Sequence, residues 1–216
     1  MKELRLIIEN FGEKYEKKEE GDNLFIEGIF GMANYVNENK RVYPLEKMQE
    51  AVERYNKDFF EKDRAAGELG HPETAIINPD RICLKLNKPL ELRENGEVVG
   101  KAKILKNVPV GAIAYSLLKE GIKLGISTRG LGDVVEDKFN NELVNKVTDY
   151  VLIAPDLVME PSTGKTVSVV NESVRYIYEE GKVEEILKQG VTPEKVGKMD
   201  LIDVINLLDF LIKGGK

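Results

Sequence analysis

The chain has one histidine, one cysteine and no tryptophan among its 216 residues. Cys83, as the only cysteine, cannot form an internal disulfide, which suits a reducing compartment, and its place in the apolar run ICLKL predicts a core residue. His71, as the only histidine, disfavours zinc catalysis, because such sites combine several histidine or cysteine ligands at short spacings. We therefore expect neither a metal ion nor another cofactor.

Long apolar runs and an excess of positive charge are also lacking. No stretch approaches the roughly 20 apolar residues that span a bilayer, and the N-terminal segment lacks the apolar centre of a signal peptide. The net charge of -6 and the pI near 5.2 remove the general attraction to phosphate on which non-specific nucleic-acid binding depends. We expect a cytosolic protein that binds neither a membrane nor nucleic acid.

What is present fits a soluble globular domain, with 42% hydrophobic and 32% charged residues. Apolar positions at spacings of 3 and 4 predict a helix from residue 45 to about 63, with one stripe facing a core, and a second helix over 110–121 that ends at Gly121. The core-facing stripe of the first helix comprises Leu45, Met48, Val52, Tyr55 and Phe59. Strands are predicted over 24–30, 82–86, 97–105, 122–129, 143–153 and 165–170.

These elements do not alternate regularly, so we expect an α+β fold with a largely antiparallel sheet or β-barrel surrounded by helices. The segments 82–86 and 97–105 are expected to pair across a turn at 94–96. From about residue 176 the sequence becomes charged and helical in character. We therefore divide the chain into a main domain, 1–175, and a helical C-terminal tail, 176–216, which packs on the domain, docks onto a partner or regulates the domain.

Ser127 is a candidate nucleophile. On a strand over 122–129, period-2 alternation sends Ile126 and its apolar neighbours to the core and Ser127 to the other, open face, where Gly125 leaves room for a substrate. Gly130 and Gly132 would let the chain turn so that backbone N–H groups point at a reacting carbonyl. The alternative is a strand end whose hydroxyls satisfy local backbone groups. The spacing fits neither the α/β-hydrolase elbow nor a phosphate-binding loop.

Five segments in order along residues 24–162 resemble the prohead core proteases of T4-like and related tailed phages. They are F-I-E-G-I-F (25–30), N-E-N-K-R-V-Y-P (37–44), G-E-L-G-H-P (67–72), G-I-S-T-R-G-L-G (125–132) and D-L-V-M-E-P-S (156–162). The resemblance implies a serine protease with the fold of the herpesvirus maturational proteases. It also implies that Ser127 is the nucleophile and His71 its general base, and that Thr128, Arg129 and Gly130 are candidates for stabilising the oxyanion.

The third catalytic residue is left open. Asp156 is the first choice, because a carboxylate beside His71 would hold its tautomer, and Glu68 is the second. Each has a simpler interpretation: Asp156 follows a proline and would suit a turn, and Glu68 would be solvated.

The substrates implied by the resemblance are the scaffold and core proteins, the major capsid protein and the protease itself, cut after glutamate in a (Leu or Ile)-x-Glu context. The chain would act in the host cytoplasm, inside the assembling prohead. Ile7-Ile8-Glu9 fits that context and is a candidate self-cleavage site in a zymogen. The sequence leaves open self-association, and two other functions remain: an inactive structural component of the prohead core, and a small-molecule hydrolase.

Overall fold

The structure is a computed structural model that describes residues 3–12, 14–70, 72, 74–159 and 174–187. Two helices are described, α1 (Leu45–Tyr55) and α2 (Pro109–Lys119). The described strands are β1 (Arg5–Gly12), β2 (Tyr15–Glu20), β3 (Asn23–Met32), β4 (Arg41–Val42), β5 (Ala66–Glu68), β6 (Ile82–Leu86), β7 (Glu91–Leu92), β8 (Glu97–Ile104), β9 (Gly125–Phe139), β10 (Glu142–Val158), β11 (Val174–Glu179) and β12 (Lys182–Leu187). Strands dominate these residues, so the molecule is of the mixed α+β class.

Two larger sheets and a hairpin hold these strands. One sheet has the order β2-β3-β8-β6-β5, with β7 beside β8, and the other has the order β1-β9-β10-β4. Their described pairings are antiparallel except for the short parallel contact of β4 with β10. The hairpin β11–β12 joins the second sheet at Leu4, whose backbone forms a bridge with Tyr176.

The long hairpin β9–β10 forms the centre of the second sheet. Asn140 and Asn141 turn it with φ of 50° and 68°, which asparagine tolerates better than most residues and which a tight two-residue hairpin turn requires. Register shifts between Val147 and Asp149 and between Leu152 and Ala154 mark bulges, at which a strand bends. The hairpin can therefore coil over the neighbouring elements.

The core lies between the sheets and under α1. Its fully buried members include Ile26, Leu84, Ile104, Leu131 and Ala154, and Cys83 is among them, as predicted. Burial raises the pKa of the Cys83 thiol, which keeps it protonated and inert. The α1 stripe buries Met48, Val52 and Tyr55, whereas Leu45, which the periodicity placed on it, is exposed at the start of the helix.

Most strand predictions are confirmed, with different ends. The helix predicted to about residue 63 ends at Tyr55 and continues as a wider, π-helical turn over Asn56–Phe60. The pairing of β6 with β8 is confirmed, and Gly121 follows α2 with a positive φ. The strand predicted over 165–170 lies outside the described residues.

The helical assignment of the tail is wrong for its first part. Residues 176–187 belong to the β11–β12 hairpin, and the boundary drawn at residue 175 falls inside β11. The signal was present in the alternation of Val174, Tyr176 and Tyr178, because β-branched and aromatic residues favour strands. Residues 188–216, which hold the remaining helix predictions, lie outside the described part of the chain.

Candidate active site

Ser127 lies in the middle of the second sheet, on β9 between β1 and β10. Its partners in register are Asn10 on one side and Asp156 on the other. The side chain has 0% exposure, and its Oγ donates a hydrogen bond of 2.8 Å to the backbone carbonyl of Glu9. The expectation of an open face is therefore wrong, because the Ser127 side chain is fully buried.

Glu9 presents both its backbone and its side chain to this site. The carboxylate is 2% exposed and accepts hydrogen bonds from the Arg41 guanidinium through Nε, from Tyr43 Oη at 2.7 Å and from Asn39 Nδ2 at 2.8 Å. Burial lowers the pKa of Arg41, but the charge and hydrogen bond of Glu9 outweigh it and the pKa is raised. The sequence motif at 37–44 marked these residues without assigning them a role.

Arg129 lies two residues from Ser127 and is also 0% exposed. Its Nε donates to Asp156 Oδ2 at 3.0 Å, and its Nη2 donates to Glu68 Oε1 at 3.0 Å and to Asp156 Oδ1 at 3.2 Å. Its Nη1 donates to the carbonyl of Thr74 at 2.7 Å. The guanidinium therefore joins β10, β5 and the loop after β5 in one buried ion-pair network.

Both candidates for the third catalytic residue belong to this network. Asp156 is on a strand and 0% exposed, so the turn interpretation is wrong, and Glu68 is likewise fully buried, so it is not solvated. Asp156 Oδ1 also accepts from the Glu68 backbone N–H at 2.8 Å, and Glu68 Oε2 lies 3.3 Å from Arg81 Nε in an ion pair without a hydrogen bond. Burial raises the pKa of Asp156 to about 6, against the opposing effect of the Arg129 charge.

His71 lies outside the described residues, but its neighbours along the chain are placed. The Gly70 N–H donates to the carbonyl of Leu157 at 2.7 Å, and Leu69 forms a parallel bridge with the same residue. Leu157 is paired with Ile126, the residue before Ser127. Since adjacent strands lie about 4.8 Å apart, the backbone just before His71 is anchored two strand spacings, or roughly 10 Å, from β9 next to Ser127.

The remaining oxyanion candidates, Thr128 and Gly130, lie in the body of β9. The expected turn at Gly130 and Gly132 is wrong, because the strand continues to Phe139. The glycines serve close packing instead: a Cβ at Gly130 would come within 2.4 Å of the Tyr150 ring, and one at Gly132 within 2.8 Å of Ile7 Cδ1. The stabilisation of an oxyanion by the backbone N–H groups of Thr128 and Gly130 stays a prediction.

Within the described ranges, no group of three or more His, Cys, Asp and Glu side chains is placed to hold a metal ion. No helix among these residues is long and apolar enough to cross a membrane.

The chain that carries this buried serine, arginine and pair of carboxylates is similar in sequence and in overall structure to phage proteases. The chain belongs to the prohead core protein serine protease family, whose family model matches residues 6–175. It is 30% identical over 162 residues to the prohead core protein protease of Enterobacteria phage T4, which covers 68% of this chain and 75% of that protein. The solved structure of the bacteriophage T4 capsid assembly protease, gp21, is similar with a TM-score of 0.67 at 29% identity, covering 73% of this chain and 99% of that one.

Proposed function

We propose that this protein is a serine endopeptidase that cuts after glutamate during prohead maturation, with Ser127 as nucleophile and His71 as general base. Its substrates are the scaffold and core proteins, the major capsid protein and its own chain at Glu9–Asn10. It acts inside the assembling prohead in the host cytoplasm. The observation that carries the proposal is the 2.8 Å hydrogen bond from Ser127 Oγ to the Glu9 carbonyl, because it brings the nucleophile to the bond after a glutamate.

The way in which β1 binds supports its identity as a substrate segment. It lies antiparallel to β9 as an added edge strand, the usual arrangement of an extended peptide on a sheet. Ile7 and Glu9 are buried at 5% and 2% exposure, whereas Ile8 between them is only half-buried. This alternation reproduces the (Leu or Ile)-x-Glu context, in which the first and third residues are the recognised ones.

The reaction follows from the chemistry of the two groups. His71 takes the proton of the Ser127 hydroxyl as Oγ attacks the Glu9 carbonyl carbon, and then gives that proton to the amine of Asn10 as the peptide bond breaks. Residues 1–9 remain as an ester on Ser127. A water molecule, deprotonated by His71, hydrolyses this ester and restores the serine.

The finer assignments are part of the proposal. Asp156, or Glu68 in its place, would orient His71, and Thr128, Arg129 and Gly130 would stabilise the oxyanion. The ion pairs to Arg129 suggest a further role for both carboxylates, since Glu68 and the Thr74 carbonyl, which precede and follow His71 in the sequence, accept hydrogen bonds from the same guanidinium. The resemblance to the prohead core proteases also leads us to expect the fold of the herpesvirus maturational proteases.

Mass spectrometry of the purified chain tests the proposal. Wild-type protein should lose residues 1–9 and acquire Asn10 as its new N-terminus, and it should cut an added peptide that carries Ile-Ile-Glu. Ser127→Ala and His71→Ala should do neither, while Ser116→Ala, which changes an exposed serine on α2, should behave as the wild type.

Equal cleavage by wild type and Ser127→Ala would exclude the serine mechanism. An absence of cleavage by every variant would favour the alternative of an inactive structural component of the prohead core. Turnover of small esters without peptide cleavage would favour a small-molecule hydrolase.

A further inference from the structure

We propose that the segment 37–43 is the recognition site for the glutamate at the cleavage point, with Asn39, Arg41 and Tyr43 as the residues that determine specificity. The inference rests on the proposed cleavage after glutamate and names the residues that would impose it. In this structure the site is filled by Glu9 of the same chain. We call this segment the glutamate loop.

The chemistry of the glutamate loop fits a carboxylate and excludes most other side chains. The ligand oxygens meet donors from all three loop residues: Arg41 Nε and Tyr43 Oη converge on Oε1, and Asn39 Nδ2 binds Oε2. Arg41 is itself only 7% exposed and supplies the compensating positive charge. A buried charge that is paired and hydrogen-bonded in this way is tolerated, whereas a glutamine would turn an amide N–H₂ toward one of these donors.

The same arginine also holds the backbone of the bound strand. Its Nη2 donates to the carbonyl of Ile8 at 3.1 Å, so one side chain contacts both the carboxylate and the preceding peptide group. An aspartate would have a carboxylate one methylene nearer to the β1 backbone, out of reach of the same donors. The glutamate loop should therefore discriminate between bound side chains by their length as well as by their charge.

Hydrogen bonds within the glutamate loop preorganise it. The Asn37 side-chain oxygen accepts from the backbone N–H groups of Asn39 at 3.0 Å and Arg41 at 2.9 Å. The Asn37 N–H donates to the Arg41 carbonyl at 3.0 Å, and Lys40 adopts a φ of 53° between them. The donors are therefore fixed by contacts that do not involve Glu9, as expected of a built site rather than of a loop that closes on any neighbour.

The coiled hairpin β9–β10 carries the glutamate loop to Ser127. The Asn145 N–H donates to the Lys40 carbonyl at 2.7 Å, and the Tyr43 ring packs edge-on against Tyr150 with centroids 4.8 Å apart. Glu9, by contrast, is in register with Thr128, which is paired with Pro155. Residues 145 and 155 would be roughly 33 Å apart on a straight strand, so β10 must curve between them for the loop to meet Glu9, and its two register shifts lie in this stretch.

A pair of peptides that differ in one residue tests the specificity. The peptides carry the sequence of residues 3–12 with either Glu or Gln at the cleavage position, and each is offered to the enzyme after incubation until mass spectrometry shows that residues 1–9 have been removed. Wild-type protein should cut the Glu peptide far faster in terms of kcat/KM. Tyr43→Phe, which removes only one hydroxyl, should lower the Glu-to-Gln ratio about tenfold, and Arg41→Gln about a hundredfold or more.

Matched controls are available on the surface. Tyr35→Phe changes a tyrosine that is 51% exposed, and Arg93→Gln changes an arginine whose side chain is 55% exposed. Both should leave the ratio unchanged. If Tyr43→Phe and Arg41→Gln cut the peptides with the wild-type ratio, the recognition role of the glutamate loop is refuted even though the protease activity stands.

A second measurement does not depend on catalysis. In the Ser127→Ala chain, which keeps residues 1–9, hydrogen exchange of the β1 amides should become faster by about tenfold or more when Glu9→Gln or Tyr43→Phe is added. Glu50→Gln, which changes an exposed ion pair on α1, should have no effect on β1. If no variant cleaves any peptide, the proposed function fails, but faster β1 exchange would still establish the carboxylate site; unchanged exchange would overturn it.

Discussion

The residues near Ser127 were identifiable from the sequence by type, whereas their partners were not. Asp156 and Glu68 were expected beside His71, and the structure shows both on Arg129, a residue expected at the oxyanion. Sequence spacing gives the face of a strand, and each of these contacts joins positions 27 or 61 residues apart. The register of β5, β9 and β10 brings both carboxylates to the Arg129 guanidinium, and this register could not be derived from the sequence.

Asp156 should make stability depend on pH in a direction unusual for an aspartate. Its pKa is raised to about 6 from 3.8 by burial, so the folded state binds its proton more tightly than the unfolded state does. This group therefore favours folding below about pH 4, and its contribution is lost as the pH rises through 6. Asparagine does not titrate, so Asp156→Asn abolishes this pH-dependent loss of unfolding free energy. The loss amounts to about 3 kcal/mol when the pKa rises from 3.8 to about 6.

Urea unfolding between pH 4 and 7.5 measures the effect in the Ser127→Ala chain, which cannot cut itself. The unfolding free energy of Asp156→Asn, relative to its parent, should rise as the pH increases through that window. Asp137→Asn is the control: a hydrogen bond from Lys146 lowers the pKa of this exposed group, so it does not contribute to that loss. Parallel curves for Asp156→Asn and its parent would contradict the pKa shift.

At the scale of elements, several strands with a buried apolar face were predicted well, whereas the charged strand β2 and the β11–β12 hairpin were missed. β3, β6 and β8 carry apolar residues on a buried face, and their positions were predicted within two residues. β2 is almost entirely exposed and charged, with the sequence YEKKEE, and it is ordered by pairing with β3 rather than by burial. β1 was not predicted, and its charged residue Glu9 is buried only with the help of donors that lie some 30 residues further along the chain.

The contact of β5 with β10 is tight enough to require glycine. A Cβ at Gly67 would lie 1.7 Å from the Pro155 carbonyl oxygen, a backbone atom that cannot move without shifting β10. We expect Gly67→Ala to lower the unfolding free energy by about 3 kcal/mol or more, because overpacking here separates the strand of Glu68 from that of Asp156. Urea unfolding in the Ser127→Ala chain measures it.

Gly121→Ala provides the comparison. A Cβ at Gly121 meets nothing within 4 Å, so only its φ of 84° opposes a side chain, and the expected loss is about 1 kcal/mol. Equal losses for the two variants would show that β5 does not press on β10 as described.

For the whole molecule, the fold places β1, the proposed substrate segment, beside Ser127, the proposed nucleophile, in the same chain. β1 is held along its length by its pairing with β9, just before its start by the bridge of Leu4 to Tyr176, and near its middle by the donors on Glu9. A tethered segment has an effective concentration in the millimolar range, so a peptide added at micromolar concentration cannot displace it. Access to Ser127 for other substrates should therefore follow the removal of residues 1–9.

This order of events predicts a lag in the cleavage of an added peptide. With freshly purified, uncut protein, peptide cleavage should accelerate as the new N-terminus at Asn10 appears, and both should follow the same first-order time course. Because Glu9 already contacts Ser127 in the same chain, the lag should not shorten when the protein concentration is raised tenfold. Glu9→Gln should slow the appearance of the new N-terminus at Asn10, because the proposed cut follows a glutamate, while Glu3→Gln, which changes an exposed residue outside β1, should not. Full peptide cleavage from the first moment by uncut protein would show that β1 does not block the site, and a lag that shortens in proportion to concentration would show that one molecule cuts another.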